Sequence, residues 1–247
     1  VAQADWITIT NMASSADVAH TPTMAPSLEP KDGDFTYAFM SHVADVKFSG
    51  LCCAAVNFSP LADVHSHHAG GSIRGYMRKH TPVSGPALFA PMFFIASSSG
   101  APDLDDNPSA YKLGLSEQAA AGSPYHITLA KGSLRDSGVK ATTGDYLLRG
   151  TTSYTTARWF GLRLDVLFNP QGEIVLNVYE DTANNPVSPI WTRPAGFPDA
   201  YVDDGLGLLS GTLPLTGTLY VGFGQWSSQV GCCSAFDYLQ ISRQLNP

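Results

Sequence analysis

Between Arg158 and Glu180 the chain reads RWFGLRLDVLFNPQGEIVLNVYE, two alternating runs on either side of an Asn169-Pro170-Gln171-Gly172 turn. Leu162, Leu164, Val166 and Phe168 fall on one face, and Ile174, Leu176 and Val178 repeat the pattern on the return, as period-two packing over one core requires. Such a segment points to an antiparallel β-sandwich. It says far more about architecture than about activity.

The remaining sequence fits that frame. With 44% hydrophobic and 14% charged residues, 23 Gly and 17 Pro, the chain has the profile of many short strands with punctuated turns. At 247 residues it is long enough for one large domain or two small ones, and a single domain over 1–247 is the expectation, since all-β sandwiches reach this length as one unit. The formal charge of −7 sets up a field that repels phosphates, so nucleic acid is not an expected partner. Nor is a membrane: the longest apolar run, Ala87 to Ala96, is strand-length and contains Pro91. Val1 to Trp6 shows no basic segment leading into an apolar stretch, so no secretory signal is expected there, although a mature chain could already have lost one.

Strands are predicted at Asp5–Thr10, Phe35–Met40, Val43–Phe48 and Gly50–Phe58, with an extended, Pro-punctuated arm over 12–34. Ser72–Lys79 and Ala87–Ala96 read as a further pair, followed by Tyr111–Ser116, Tyr125–Lys131 and Asp145–Arg149, while Glu117–Ala121 has room for one helical turn. Beyond the central hairpin comes a proline-containing connection, Asp181–Gly211. A closing pair follows, Thr218–Trp226 and Ser234–Arg243, in which Phe236, Tyr238, Leu239 and Ile241 supply apolar contacts and Asp237, Gln240 and Arg243 reach solvent. The expected result is an all-β, two-sheet antiparallel jelly roll.

Four cysteines form two vicinal pairs, Cys52-Cys53 and Cys232-Cys233. Buried reduced thiols are the expectation and a disulfide between the two segments the alternative; zinc pairs usually space their cysteines two to four residues apart. His65, His67 and His68 invite a metal reading because imidazole is the commonest metal ligand, but a polar loop exposed to solvent is the expectation. No cofactor is expected, with one ion kept open: two acidic loops offer hard oxygen ligands suited to calcium, through Asp103 and Asp105 in one and Asp203 and Asp204 in the other. Aspartate and glycine are also ordinary turn residues.

The series Trp159, Leu162-Arg163-Leu164-Asp165, Glu173 to Tyr179, Gly217 to Gly224 and Ala235 to Ile241 resembles the concanavalin A-like lectin and laminin G superfamily. A second set, Cys53 to Phe58, Gly70 to Arg74, Phe89 to Phe94, Tyr111 to Ser116 and His126 to Gly132, resembles uncharacterised proteins of tailed-phage structural gene clusters. The first resemblance implies a concanavalin A-like jelly roll, and the second a virion component.

Many glycoside hydrolases on that fold carry Glu-x-Asp-x-Glu on one strand, and their two carboxyls stand about 5 Å or about 6.5 to 9.5 Å apart. Here Glu173 and Glu180 end one strand roughly 23 Å apart, and no nucleophile elbow or phosphate-cradling loop is present. The expectation is therefore a non-enzymatic virion structural or decoration protein whose partners are other virion subunits or itself, together with surface glycans. The alternative is a secreted carbohydrate-binding, lectin-like module, and a glycoside hydrolase comes third. Tyr154, Trp191, Tyr201 and Trp226 are the candidate ligand-binding residues, placed near loop or strand ends where a ring can stack on a sugar or anchor a protein. Trp159, opening a strand, is expected to fill the core.

Overall fold

The computed structural model describes residues 7–8, 13–14, 23–24, 37–40, 50–57, 69–80, 89–98, 109–116, 118, 123–133, 146–156, 158–171, 173–203, 218–227 and 233–245. These residues form two antiparallel sheets, and no helix is seen among them. With strands numbered in chain order, the larger sheet runs β13 (Trp191–Thr192), β12 (Ile174–Asp181), β11 (Trp159–Phe168), β6 (Ala69–His80), β16 (Cys233–Leu245), β4 (Tyr37–Met40) and β3 (Thr23–Met24). Outside that path, β1 (Ile7–Thr8) pairs with β16 and β14 (Tyr201–Asp203) with β12. The second sheet runs β10 (Leu148–Arg149), β9 (Ile127–Ser133), β8 (Ser109–Leu115), β7 (Phe89–Ser98), β15 (Thr218–Ser227), β5 (Gly50–Asn57) and β2 (Ala13–Ser14).

The central hairpin forms as its alternation dictates, with Leu164 opposite Val178 and Val166 opposite Leu176. Leu162, Leu164, Val166, Ile174, Leu176 and Val178 are all buried at 2% exposure or less. Its turn is organised by Asn169, whose Oδ1 accepts from the backbone N–H groups of Gln171 (3.1 Å) and Glu173 (2.8 Å), the local bonding that suits asparagine to turns. Between the sheets, Phe236 of β16 meets Phe223 of β15 and Phe93 of β7 with ring centroids 4.8 and 6.2 Å apart. Each such ring contributes about 2 kcal/mol by leaving water.

Two expected strand pairs are corrected. Ser72–Lys79 and Ala87–Ala96 belong to β6 and β7, which lie in opposite sheets, and the closing segments β15 and β16 are separated in the same way. Their sequence neighbourhood reflects a step from one sheet to the other, not hairpins. The strand predicted at Val43–Phe48 lies outside the described residues, as does the helical turn at 117–121 except for Gln118.

The last strand also departs from simple alternation. A bulge shifts the register between Asp237 and Gln240, and Tyr238 adopts a positive φ of 50°. The extra residue puts both Phe236 and Leu239 in the core, at 0% and 2% exposure. Tyr238 is thereby turned to the outer side, where its ring meets Tyr76 edge-on at 6.0 Å. Asp237, expected in solvent, is buried, and its Oδ1 accepts from the Tyr238 N–H at 2.8 Å. Trp159 is likewise corrected: Phe160 takes the inward position on β11 and Trp159 stays half-buried opposite Arg78.

Candidate functional site

Because Ile73 and Met77 on β6, Leu162 and Leu164 on β11, and Leu176 and Val178 on β12 point inward, the intervening residues build the outer face of the nine-stranded sheet. Register lines them up in rows. One row runs Asp237, Tyr76, Gly161 and then Asp181; the next runs Gln240, Arg74, Arg163 and Tyr179. These polar and aromatic side chains therefore form a platform by strand geometry alone.

Asp181 is the organising carboxylate. Its Oδ2 accepts from the Tyr76 hydroxyl at 2.6 Å and from the Asn185 N–H at 2.7 Å, while its Oδ1 accepts from the N–H groups of Ala183 (3.0 Å) and Ile190 (2.7 Å). The Tyr76 bond reaches across an intervening strand, and Gly161 makes that possible. A Cβ at Gly161 would lie 2.7 Å from both the Asp181 Cβ and the Tyr76 Cε1.

Asp181 thus holds the 182–190 loop against the sheet, and that loop carries Pro186 and Pro189 to the rim of a small open cleft of about 40 Å³. Arg74, Gly75, Tyr76, Trp191, Tyr238 and Gln240 complete its lining. Arg74 Nε donates to Gln240 Oε1 at 2.8 Å, presenting guanidinium and amide together. Burial, and next to it the Arg163 charge, lower the Arg74 pKa from the usual arginine value. The Trp191 indole Nε1 is shielded from solvent without a hydrogen-bond partner. Val187 on the loop and Ile190 at its base, opposite Thr182, are 84% and 58% exposed.

Beyond the cleft the platform is cationic. Arg163 grips Asp165 through both ends of its guanidinium, at 2.8 and 2.7 Å. Tyr179 has Arg193 4.0 Å and Arg163 5.0 Å from its ring centroid, the geometry of cation–π attraction. Arg193 is steadied by the Val178 carbonyl at 3.0 Å and the Asn177 Oδ1 at 3.3 Å.

Of the four candidate aromatic residues, only Trp191 belongs to this cleft. Tyr154 packs with Tyr125 and Phe160 on the inner side of the sheet. There its hydroxyl donates to Glu180 Oε1 at 3.4 Å, beside the Arg158 guanidinium at 3.0 Å. Tyr201 leans on the core cluster, and Trp226 stands in the other sheet, on β15, opposite Leu51 and Ala90. The four are not brought together.

Asp203, read as a calcium ligand, is instead buried in a knot where it accepts from the Tyr111 hydroxyl and pairs with Lys131 at 2.7 Å. A carboxylate neutralised by an internal ammonium has no charge to offer a cation. Asp103, Asp105, Asp204 and the histidines 65, 67 and 68 lie outside the described residues. No cluster of three or more metal-ligating side chains occurs among the described ones. Cys52 and Cys53 fall on β5 and Cys233 on β16, in opposite sheets.

The carboxyl of Glu180 is held above its ordinary range by burial, against the lowering influence of Arg158 and of the Tyr154 hydrogen bond. A carboxyl that keeps its proton longer when folded than when unfolded makes stability fall as pH rises from the ordinary carboxylate value through the raised one. Glu180→Gln removes that titration. In denaturant melts from about pH 4 to about pH 7 the variant should gain steadily on the parent chain; a constant gap between the two would show that Glu180 titrates normally.

No family model matches the chain, and no curated protein matches it. Among solved structures, it is similar to the winged bean acidic lectin complexed with methyl-α-D-galactose, at 10% identity and a TM-score of 0.53, over 99% of this chain and 100% of that one. It is also similar to the basic winged bean lectin with Tn-antigen, at 10% identity and 0.51 over the same shares of 99% and 100%. The alginate lyase from Aplysia kurodai matches at 14% identity over 86% of this chain and 82% of its own, with a TM-score of 0.41. The lectin likenesses establish the concanavalin A-like jelly-roll fold, as the first sequence resemblance implied. The comparisons lend no support to the tailed-phage resemblance.

Proposed function

We propose that the chain is a non-catalytic, sugar-recognising jelly roll whose ligand lies on the outer face of the nine-stranded sheet, seated between Trp191 and Tyr238 above the buried Tyr76. The observation that carries this reading is the make-up of the cleft: aromatic rings beside a hydrogen-bonded arginine–glutamine pair. A pyranose ring has apolar C–H faces that rest on aromatic rings and hydroxyls that suit planar donors and acceptors. A shielded indole N–H without a partner is a donor that a nearby ligand oxygen would satisfy.

The same face argues against hydrolysis. A general acid or base must meet the substrate, yet Asp181 is occupied by Tyr76 and loop amides and Asp165 by Arg163. Glu180 lies on the inner side. The resemblance of the short segments Cys53 to Phe58, Gly70 to Arg74, Phe89 to Phe94, Tyr111 to Ser116 and His126 to Gly132 to phage structural proteins suggests the setting, a module carried on a virion. The exposed Val187 and Ile190 give its loop an apolar contact for a neighbouring subunit.

A glycan array checks the sugar reading. Saturable binding is expected, weakened roughly tenfold by Trp191→Ala and by less in Trp191→Phe, which keeps a ring but loses the indole N–H, since a stacking ring contributes about 1.4 kcal/mol. An array silent for the folded parent chain would overturn it.

A further inference from the structure

We infer that the Arg74, Arg163 and Arg193 row selects anionic saccharides, chains bearing carboxylate or sulfate groups, over neutral ones. The inference rests on the sugar-binding reading and names the ligand class of that face. Arg74 and Arg163 are directly opposed across β6 and β11, and Arg163 and Arg193 share the ring of Tyr179, so the three guanidinium groups follow one line across the strands. Opposing like charges on neighbouring strands cost stability. Asp165, the carboxylate on Arg163, offsets part of that repulsion.

The contrast with the whole chain sharpens the point. A protein of net charge −7 repels polyanions at long range, so a cationic row is useful only to a ligand that docks locally. An uncharged sugar would gain nothing from three guanidinium groups that a single amide could not supply. Guanidinium, by contrast, matches carboxylate and sulfate oxygens in a planar, two-pronged fashion. The row runs on from the cleft through Arg74, so a chain with one sugar on the aromatic rings would carry its next acidic groups over Arg163 and Arg193.

The test uses two matched pairs of polymers on the intact chain: polygalacturonate against its carboxyl-reduced form, and dextran sulfate against dextran. The charged member of at least one pair should bind roughly tenfold more tightly, the effect of one charge-assisted hydrogen bond. Which pair discriminates tells carboxylate from sulfate. The preference should shrink in Arg74→Gln and in Arg193→Gln, and in Arg193→Gln, which lies outside the cleft, the affinity for any neutral member that binds stays within about twofold. Both variants leave the Arg163–Asp165 pair intact, and thermal melts confirm that they fold. Equal binding of charged and neutral members, or a preference unmoved by the two substitutions, overturns the inference and leaves the sugar-binding reading standing. Binding of none of the polymers, together with a silent glycan array, removes both.

Discussion

Asp181→Ala is expected to lower the stability of the fold by about 3 kcal/mol and to abolish the sugar binding proposed for the cleft. The carboxylate accepts four hydrogen bonds, three from backbone N–H groups of the loop that follows and one from Tyr76. Removing it takes the acceptor from the buried Tyr76 hydroxyl, which costs about 1 to 3 kcal/mol, and releases three loop amides that belong to exposed residues. The loss is local before it is global: without its anchor the 182–190 loop has no reason to keep Pro186 and Pro189 over the sheet. Asp181→Asn keeps the shape but turns an amide NH₂ towards N–H donors, so it should recover less than half of the loss. Denaturant melts measure the stability. Hydrogen exchange at Ala183, Asn185 and Ile190 measures the loop, and all three amides should lose protection together. As a control, the exposed Asp199 should tolerate alanine within about 0.5 kcal/mol. A change at Asp181 no larger than that would show that the loop holds itself.

The hairpin was readable in the sequence because its information is local: alternation, a turn residue with its own bonding and a return strand. Sheet membership was not. Whether Ser72–Lys79 pairs with Ala87–Ala96 or crosses away from it depends on which third strand competes for each edge, and β11 and β16 claim both edges of β6. Alternation alone would have turned Trp159 outward, since Leu162 and Leu164 fix the phase of β11. The habit of burying tryptophan pointed the other way. The bulge at Tyr238 inverts a rule that holds elsewhere in the chain, and a tyrosine with positive φ leaves little trace in a sequence.

The site was legible only in part, for a related reason. Trp191 was found because an aromatic residue at the edge of a loop is conspicuous. Arg74 and Tyr76 alternate on one strand, Arg163 and Asp165 on another, and Tyr179 and Asp181 on a third, so each pair was visible as the outward half of a strand. What joins them into one platform is cross-strand register, which spans more than a hundred residues of sequence between β6 and Asp181. Asp203 misled in the opposite direction. Its carboxylate was counted as an available ligand, although its cationic and hydroxyl partners come from strands far away in sequence.

Asp203 shows what that oversight conceals, and its replacement is the second large effect expected. Its side chain is 2% exposed and that of Lys131 4% exposed, and Tyr111, whose hydroxyl burial pushes far above the ordinary tyrosine range, completes the knot. The three come from β14, β9 and β8 and so tie the two sheets together. Asp203→Ala leaves an ammonium buried without its counter-charge, which costs about 3 to 5 kcal/mol. Tyr111→Phe, losing one hydrogen bond, should cost only about 1 to 2 kcal/mol. The informative comparison is the double variant Asp203→Leu with Lys131→Met. If the cost of the single change is the stranded charge and not lost packing, removing both charges should restore most of the stability, because apolar replacements of a buried ion pair are often neutral or better. If the double variant is as unstable as Asp203→Ala, then the knot supports the fold through its shape and hydrogen bonds, and the account of Asp203 as a neutralised charge fails.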